Sequence, residues 1–259
     1  MESALDHHTA RALLEWQIEL GADEAIADAS IDRYEIAAVR PDAKPAGIQF
    51  VPTKAKSVDP IDEARALAGA TGDLAALRAA MAAFDHCELK RGARNLVFSD
   101  GNPAARVMVI GEAPGREDDI EGRPFTAQAG QLLDRMLGAI GLSRAAKDAA
   151  TSAYLTCAMP WRPPRDRDPS DDEIAMMQPF LARHVELAAP DILILIGNVG
   201  CQAGLGKRGI TRLRGDWHQA FGRPAMAIAS PAYLLRNPAA KRDAWADLLA
   251  VQARLRETQ

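Results

Sequence analysis

The chain has 259 residues, of which 48% are hydrophobic and 25% charged, so it can bury one sizeable core with an appendage. Its three cysteines lie far apart without a CxxC pair, which argues against a disulfide framework and a zinc site. No stretch reaches the roughly 18 apolar residues that a membrane span needs. The first residues also lack the basic segment followed by an apolar run that is typical of a signal peptide, so we expect a cytoplasmic protein without membrane contact. The formal net charge of −4 leaves the kind of partner open, because a local basic groove matters more than the total.

The first third of the chain predicts one helix and a connector. Apolar side chains recur at helical spacing from Thr9 to Leu20, which predicts an amphipathic helix. From Asp28 to Asp59, prolines and mixed polar residues without a sustained period predict a long flexible connector. Helical patterns follow, and the sequence predicts Asp73 as the N-cap of one of them. We therefore assign residues 1–72 to an N-terminal helix with its connector, and residues 73–259 to a compact domain.

In the compact domain, short apolar runs alternate with helical patterns. The four runs are Val107–Ile110, Tyr154–Ala158, Ile192–Ile196 and Ala225–Ala229. This alternation is typical of βαβ units and predicts an α/β protein with a parallel sheet. Ligands of such sheets lie outside the carboxyl ends of the strands, so the loop or helix start after each run is a candidate part of the site.

The loop after the first run carries the strongest signal. Gly111–Gly115 reads GEAPG, and an acidic stretch, Glu117–Asp119, and then Arg123 and Phe125 follow before the next helix. Two glycines on either side of a proline let the backbone turn sharply and bring N–H groups close to a ligand. A tight strand-to-helix crossover is the alternative, but long crossovers with acids, an arginine and an aromatic are typical of functional loops. The glycine spacing fits neither a Rossmann nor a P-loop fingerprint.

Basic residues follow the other runs. Trp161–Pro169 interleaves an aromatic with three arginines and three prolines, and Gly206–Gly215 holds four cations in a short span. Ser230–Arg236 follows the last run and ends in a cation. Cations in these positions suit phosphate contacts. A solvated, proline-stiffened surface is the alternative that the residues leave open.

Taken together and in order, these segments resemble the uracil-DNA glycosylase superfamily, and most closely its iron-sulfur branch, family 4. The most specific segments are GEAPG at Gly111–Gly115, EGRPFTAQAGQLLDRML at Glu121–Leu137, WRPPRDRDP at Trp161–Pro169 and SPAYLLRNPAAK at Ser230–Lys241. The resemblance covers roughly Phe84 to Leu249. It implies a uracil-DNA glycosylase-like domain at 73–259, with a three-layer α/β/α fold around a four-stranded parallel sheet and a base flipped from DNA into a pocket at the strand ends.

The resemblance also implies a role for individual residues. Cleavage of a glycosidic bond leaves an electron-poor sugar and an anionic base, so a carboxylate and a hydrogen-bond donor are needed. Glu112 would supply the carboxylate and Ser230 the donor. The implied base-binding residues are Gly111, Ala113, Pro114, Gly115, Phe125, which would stack on the base, and Cys157. The implied DNA-binding residues are Arg214, Pro231, Ala232 and Arg236.

The chain departs from the family's pattern at several of these positions. The family's four cluster cysteines correspond to Phe84, Cys87, Trp161 and Met177, so only the thiol of Cys87 remains. We therefore expect no iron-sulfur cluster, no other metal and no cofactor. Ala113 stands where other branches carry a catalytic aspartate. Cys157 replaces a base-reading asparagine, and Ser230 replaces a histidine that can carry positive charge.

Three functions remain open from the sequence. The first is a DNA glycosylase of base excision repair that acts on uracil or another deaminated base, as a monomer, with damaged DNA as its partner. The second is a catalytically weak or inactive relative that binds DNA or a lesion, which Cys157 and Ser230 favour. The third is a protein on the same fold that binds no DNA.

Overall fold

The computed structural model describes residues 7–21 and 59–257. The chain divides into two compact units, with the second beginning at Lys56. In the first unit, helix α1 spans His7–Glu19, which confirms the helix predicted from Thr9 to Leu20. The predicted flexible connector lies outside the described residues apart from Asp59.

The second unit is built around a six-stranded sheet. The strands are β1 (Asp100–Gly101), β2 (Val107–Gly111), β3 (Ala153–Cys157), β4 (Ile192–Ile196), β5 (Trp217–Ala220) and β6 (Arg223–Ile228). Their order across the sheet is β1-β3-β2-β4-β6-β5. The four central strands are parallel, and β1 and β5 pair antiparallel at the two edges.

The α/β class predicted from the alternation of runs is confirmed, and the four predicted runs form the parallel centre of the sheet. The sheet has six strands rather than the predicted four. The two additional strands lie at its edges, where Asp100–Gly101 is too short to form an apolar run and Trp217–Ala220 mixes polar with apolar residues.

Helices cover both faces of the sheet. They are α2 (Pro60–Gly69), α3 (Leu74–Ala83), α4 (Leu89–Gly92), α5 (Arg116–Glu121), α6 (Gln128–Ala139), α7 (Asp171–Ala188), α8 (Gly197–Leu205), α9 (Ile210–Leu213), α10 (Pro231–Arg236) and α11 (Lys241–Glu257). Side chains of β2 alternate between two cores: Met108 and Ile110 pack in the core with α2, α3, α7 and α8, and Val107 and Val109 in the core with α6, α10 and α11. This alternation on a fully buried strand produces the three layers.

The first of these helices precedes residue 73, where the sequence predicted the domain to begin. Helix α2 packs on α7, and the guanidinium of Arg183 donates to the carbonyl of Thr71 just after α2. The compact unit therefore includes a helix that the sequence analysis assigned to the N-terminal region. Within the described residues, no helix has the length and apolar character needed to cross a membrane.

Candidate active site

The candidate site lies at the carboxyl ends of the parallel strands, where Glu112 follows β2 directly. The carboxylate of Glu112 points to the start of α8, and the N–H of Val199 donates to its Oε1 at 3.4 Å. The N–H of Asn198 and the hydroxyl of Ser230 lie near enough to this carboxylate to lower its pKa. Groups that follow β2, β4 and β6 thus lie close together here, because α8 follows β4 and Ser230 follows β6.

Burial raises the pKa of Glu112 above its ordinary value of 4.5, because desolvation disfavours the charged form. The negative charge of Asp168 raises this pKa further, whereas the hydrogen bonds from Val199, Asn198 and Ser230 lower it. Desolvation has the largest effect of these. Glu112 is therefore a carboxylate of increased basicity, held in a fixed position by donors from two elements.

Gly197, the first residue of α8, makes room for that carboxylate. Its φ is +70°, in the left-handed region that favours glycine. A Cβ on Gly197 would overlap the carboxyl carbon of Glu112 and lie 2.7 Å from its Oε2. A glycine is thus required at this position both for the backbone conformation and for the approach of Glu112.

Ser230 has two structural roles at the start of α10. Its hydroxyl oxygen accepts a hydrogen bond from the N–H of Tyr233 at 3.3 Å, which makes it the N-cap of the helix. The same hydroxyl lies near enough to Glu112 to lower the pKa of its carboxyl. The predicted residues Pro231 and Ala232 form the first turn of α10, and Arg236, at its last position, is exposed.

Phe125 lies against the backbone of Gly111. A Cβ on Gly111 would come within 2.5 Å of the Phe125 Cζ, so the ring sits directly on the end of β2. Phe125 itself has a φ of +57°. The guanidinium of Arg144 holds this strained turn by donating to the carbonyl oxygens of Pro124 at 3.0 Å and of Phe125 at 3.1 Å.

The acidic stretch organises the loop between β2 and α6. Asp118 Oδ1 accepts hydrogen bonds from the N–H and the hydroxyl of Thr126, both at 2.7 Å, and Asp118 Oδ2 accepts from the N–H of Gly115 at 3.1 Å. Asp119 is buried and accepts from the N–H groups of Arg94 and Asn95 at 2.8 and 3.1 Å. These carboxylates tie the GEAPG loop to the turn that presents Phe125.

Cys157 ends β3 opposite Gly111 in the sheet. Its thiol is buried, and its pKa is raised well above the ordinary 9.0 by desolvation first, then by the charges of Asp118 and Glu112. The side chain therefore stays a neutral thiol beside the two carboxylates. The remaining predicted base-binding residues, Ala113, Pro114 and Gly115, line a cavity of about 190 Å³ together with Glu112, Val199 and the loop from Pro163 to Pro169.

Half of the cations of the basic segments are paired within the protein. Arg162 pairs with Asp166 at 2.9 Å, Arg167 with Glu173 at 2.6 Å and Arg208 with Asp171 at 3.2 Å. Arg214, predicted to bind DNA, forms two hydrogen bonds to buried Asp247 of α11, at 3.0 and 2.9 Å. Its role on DNA stays a prediction, and its guanidinium already serves to anchor α11.

The other four cations of these segments carry no such partner among the described residues. In the part of the chain that the structure describes, no carboxylate lies within ion-pairing distance of Arg165, Lys207, Arg212 or Arg236. All four side chains are exposed. We call these residues the unpaired cations.

The structure thus brings Glu112, Ser230, Cys157 and the Gly111–Phe125 contact together, and it places Arg214 against α11 instead. Sequence reasoning missed Gly197, the N–H groups at the start of α8, and Arg144. A glycine directly after an apolar run was a usable signal for the first two. No local signal marks Arg144, whose contacts span about 20 residues. Among the described residues, no group of three or more His, Cys, Asp or Glu side chains is placed to hold a metal ion.

Comparison with known proteins identifies relatives over the same region. The model of the Uracil DNA glycosylase superfamily matches residues 98–249. A type-4 uracil-DNA glycosylase of Saccharolobus solfataricus is 35% identical over 162 residues, which cover 59% of this chain and 72% of the relative. Relatives of the same name from Archaeoglobus fulgidus and Thermotoga maritima are 33% and 34% identical over 59% and 58% of this chain, and 78% and 77% of their own lengths. These matches confirm the resemblance inferred from the motifs.

Proposed function

Because the chain belongs to the uracil-DNA glycosylase superfamily, we propose that it hydrolyses the N-glycosidic bond of uracil or another deaminated base flipped out of DNA. The observation that carries this proposal is the partly buried carboxylate of Glu112, fixed by the start of α8 and by Ser230 at the edge of a cavity. The relatives named type-4 uracil-DNA glycosylase support the same reaction.

In the proposed reaction, the bond between the sugar C1′ and the base nitrogen breaks, and its electron pair leaves with the base. The oxygen of a water molecule forms the new bond to C1′. Glu112 accepts a proton from that water and opposes the positive charge that develops on the sugar. Its raised pKa makes it a stronger base than an exposed carboxylate, because burial destabilises its charged form. The base anion takes up a proton from solvent.

Stabilisation of the departing base is weaker here than a cationic donor would provide. The hydroxyl of Ser230 can donate a hydrogen bond toward a base oxygen, but it carries no positive charge. Its oxygen already accepts the N–H of Tyr233 as the cap of α10, and its proton faces competition from the nearby carboxylate of Glu112. Loss of one good donor typically lowers the rate by about 100-fold or more. We therefore propose a slow enzyme.

Cys157 gives the site little selectivity between bases. A neutral thiol is a weak donor and a weak acceptor, and it cannot offer the paired donor and acceptor of an amide to the edge of uracil. Phe125 would stack on the base, and stacking tolerates any base. We therefore propose that the protein accepts uracil and other deaminated bases with little discrimination between them.

The unpaired cations would contact the phosphates of the DNA. Arg165 lies in the loop that lines the Glu112 cavity, and Arg236 ends the helix that Ser230 begins. Lys207 precedes Arg208, which pairs with Asp171 beside the same loop. Charges without an internal partner keep their hydration and counterions until DNA displaces them, so they contribute most to salt-dependent binding.

A relative that binds DNA without catalysis is the second candidate, and the replacements at Cys157 and Ser230 favour it. Such a protein would keep the unpaired cations and the stacking position of Phe125. It would lose base release while binding remains. A protein that has left DNA altogether would show neither property.

Single-turnover incubation with labelled oligonucleotides tests the proposal. Substrates carrying uracil, hypoxanthine or xanthine, single- and double-stranded, are compared with undamaged controls, beside Glu112→Ala. We expect release of a free base by the native chain and none by the variant. Binding without release supports the second candidate, and absence of both leaves only the fold.

A further inference from the structure

We propose that this protein folds without an iron-sulfur cluster, because an apolar packing unit occupies the place where the iron-sulfur branch of the superfamily holds one. This unit consists of Phe84, Cys87, Trp161 and Met177, which we call the apolar plug. The proposal concerns how the fold is held together, and its test does not depend on base release.

The donor chemistry of these four residues does not fit a cluster. A cubane of this kind is held by about four cysteine thiolates. Phe84 offers no lone pair, the indole of Trp161 is a donor only, and the thioether of Met177 is a weak neutral acceptor. One thiol cannot replace four charged ligands.

The packing around these residues also leaves no space for a cluster. All four side chains are at most 3% exposed and belong to one hydrophobic core. The ring of Phe84 packs edge-on against Phe180, with centroids 5.3 Å apart and an interplanar angle of 67°. The cavity beside Met177 measures only about 10 Å³, close to the minimum for one water molecule.

The remaining thiol is held in its protonated form. Desolvation raises the pKa of Cys87 above the ordinary 9.0, and the hydrogen bonds from the N–H groups of Leu89 and Lys90 oppose that shift. A protonated thiol is neither a good metal ligand nor a reactive nucleophile. Together with the packing, this makes Cys87 a small core residue.

The apolar plug also takes over the linking role that a cluster would have. Phe84 and Cys87 precede the sheet, Trp161 lies after β3, and Met177 lies in α7, so the hydrophobic core to which all four belong joins three distant segments. A surface ion pair adds to this link, because Arg167 of the loop after Trp161 donates twice to Glu173 of α7, at 2.8 and 2.6 Å. The fold is then independent of iron supply and of oxidants that destroy clusters.

Iron and acid-labile sulfide analysis of the full chain, purified without oxygen from iron-rich medium, is the first test. We expect far less than one iron per chain and no absorbance near 400 nm. About four irons per chain would overturn the proposal, since a cubane contains that number. Thermal unfolding with and without ferricyanide and a chelator should give the same midpoint, and a large drop would contradict us.

The packing role is tested by a matched pair of tryptophan variants. Trp161 is 3% exposed, whereas Trp245 is 41% exposed. Trp161→Ala should lower the unfolding midpoint by on the order of 10 °C, because it opens a large cavity in the core. Trp245→Ala should change the midpoint by a small fraction of that. Equal shifts for both variants would remove the basis for an apolar plug.

Introducing cysteines at the three non-cysteine positions tests whether the four positions lie close enough together to bind one cluster. The triple variant Phe84→Cys, Trp161→Cys, Met177→Cys restores four thiols and should take up about four irons on anaerobic reconstitution. The same variant with Cys87→Ser added should bind much less iron. A folded triple variant without iron would show that the four positions do not share one site, and the proposal would fail.

Discussion

Replacement of Gly197 by alanine should show whether activity depends on the position of Glu112 rather than on the stability of the fold. Gly197 begins α8 with a φ of +70°, and Gly206, just after the end of the same helix, has a φ of +66°. A left-handed alanine costs roughly 1 to 2 kcal/mol at either site. Only at Gly197 would the new Cβ overlap the carboxylate of Glu112, whereas at Gly206 nothing lies within 4 Å of it.

Both substitutions should lower the unfolding midpoint by roughly 2 to 8 °C through the left-handed backbone, and Gly197→Ala by somewhat more because its Cβ also displaces the carboxylate of Glu112. Activity should differ sharply. A displacement of Glu112 by about 1 Å should lower the single-turnover rate by on the order of 100-fold in Gly197→Ala, and Gly206→Ala should stay close to the native rate. Equal rates in the two folded variants would refute the role given to the Glu112 position.

Three further changes test the Glu112 carboxylate, the buried His184 of α7 and the unpaired cations. Glu112→Gln should abolish base release. It should also raise the unfolding midpoint at neutral pH, because a carboxyl whose pKa is higher in the folded than in the unfolded state destabilises the fold when it is ionised. For the same reason, the free energy of unfolding of the native chain should rise as the pH falls through that pKa. Burial lowers the pKa of His184 from 6.5 to about 3. The free energy of unfolding should therefore decrease by up to about 1.4 kcal/mol per pH unit as the pH falls between those two values. In denaturant titrations, His184→Gln should reduce that pH dependence. The double change Lys207→Glu, Arg236→Glu should weaken DNA binding and reduce its salt slope by about 2 on double strands, whereas an unchanged slope in fluorescence anisotropy would exclude these cations from the interface.

The parallel strands could be predicted because helices cover both of their faces, which makes each strand a continuous apolar run. The residues Val107 to Ile110 are all 0% exposed. The edge strands lack that constraint, and β1 contains only Asp100 and Gly101, so no periodicity could reveal it. Edge pairing depends on a neighbour that the local sequence does not describe.

The site could be located from the sequence, but the hydrogen bonds and ion pairs of its residues could not be predicted. Glu112 was found because it follows a buried strand in a motif. The N–H of Val199 that holds it lies 87 residues further along the chain, and Asp247, which holds Arg214, lies 33 residues from its partner. Which cations are paired is decided by tertiary contacts of this kind, so a basic segment alone could not distinguish Arg214 from the unpaired cations.

The most direct test of the central claim is single-turnover release of uracil from single-stranded DNA, measured together with DNA binding for the native chain and Glu112→Gln. We predict release by the native chain, with an acid limb above the ordinary carboxyl pKa of 4.5, and no release by the variant at unchanged binding. Release at the same rate by both proteins would contradict the assignment of Glu112. Binding without release by either would leave a DNA-binding relative in place of the enzyme.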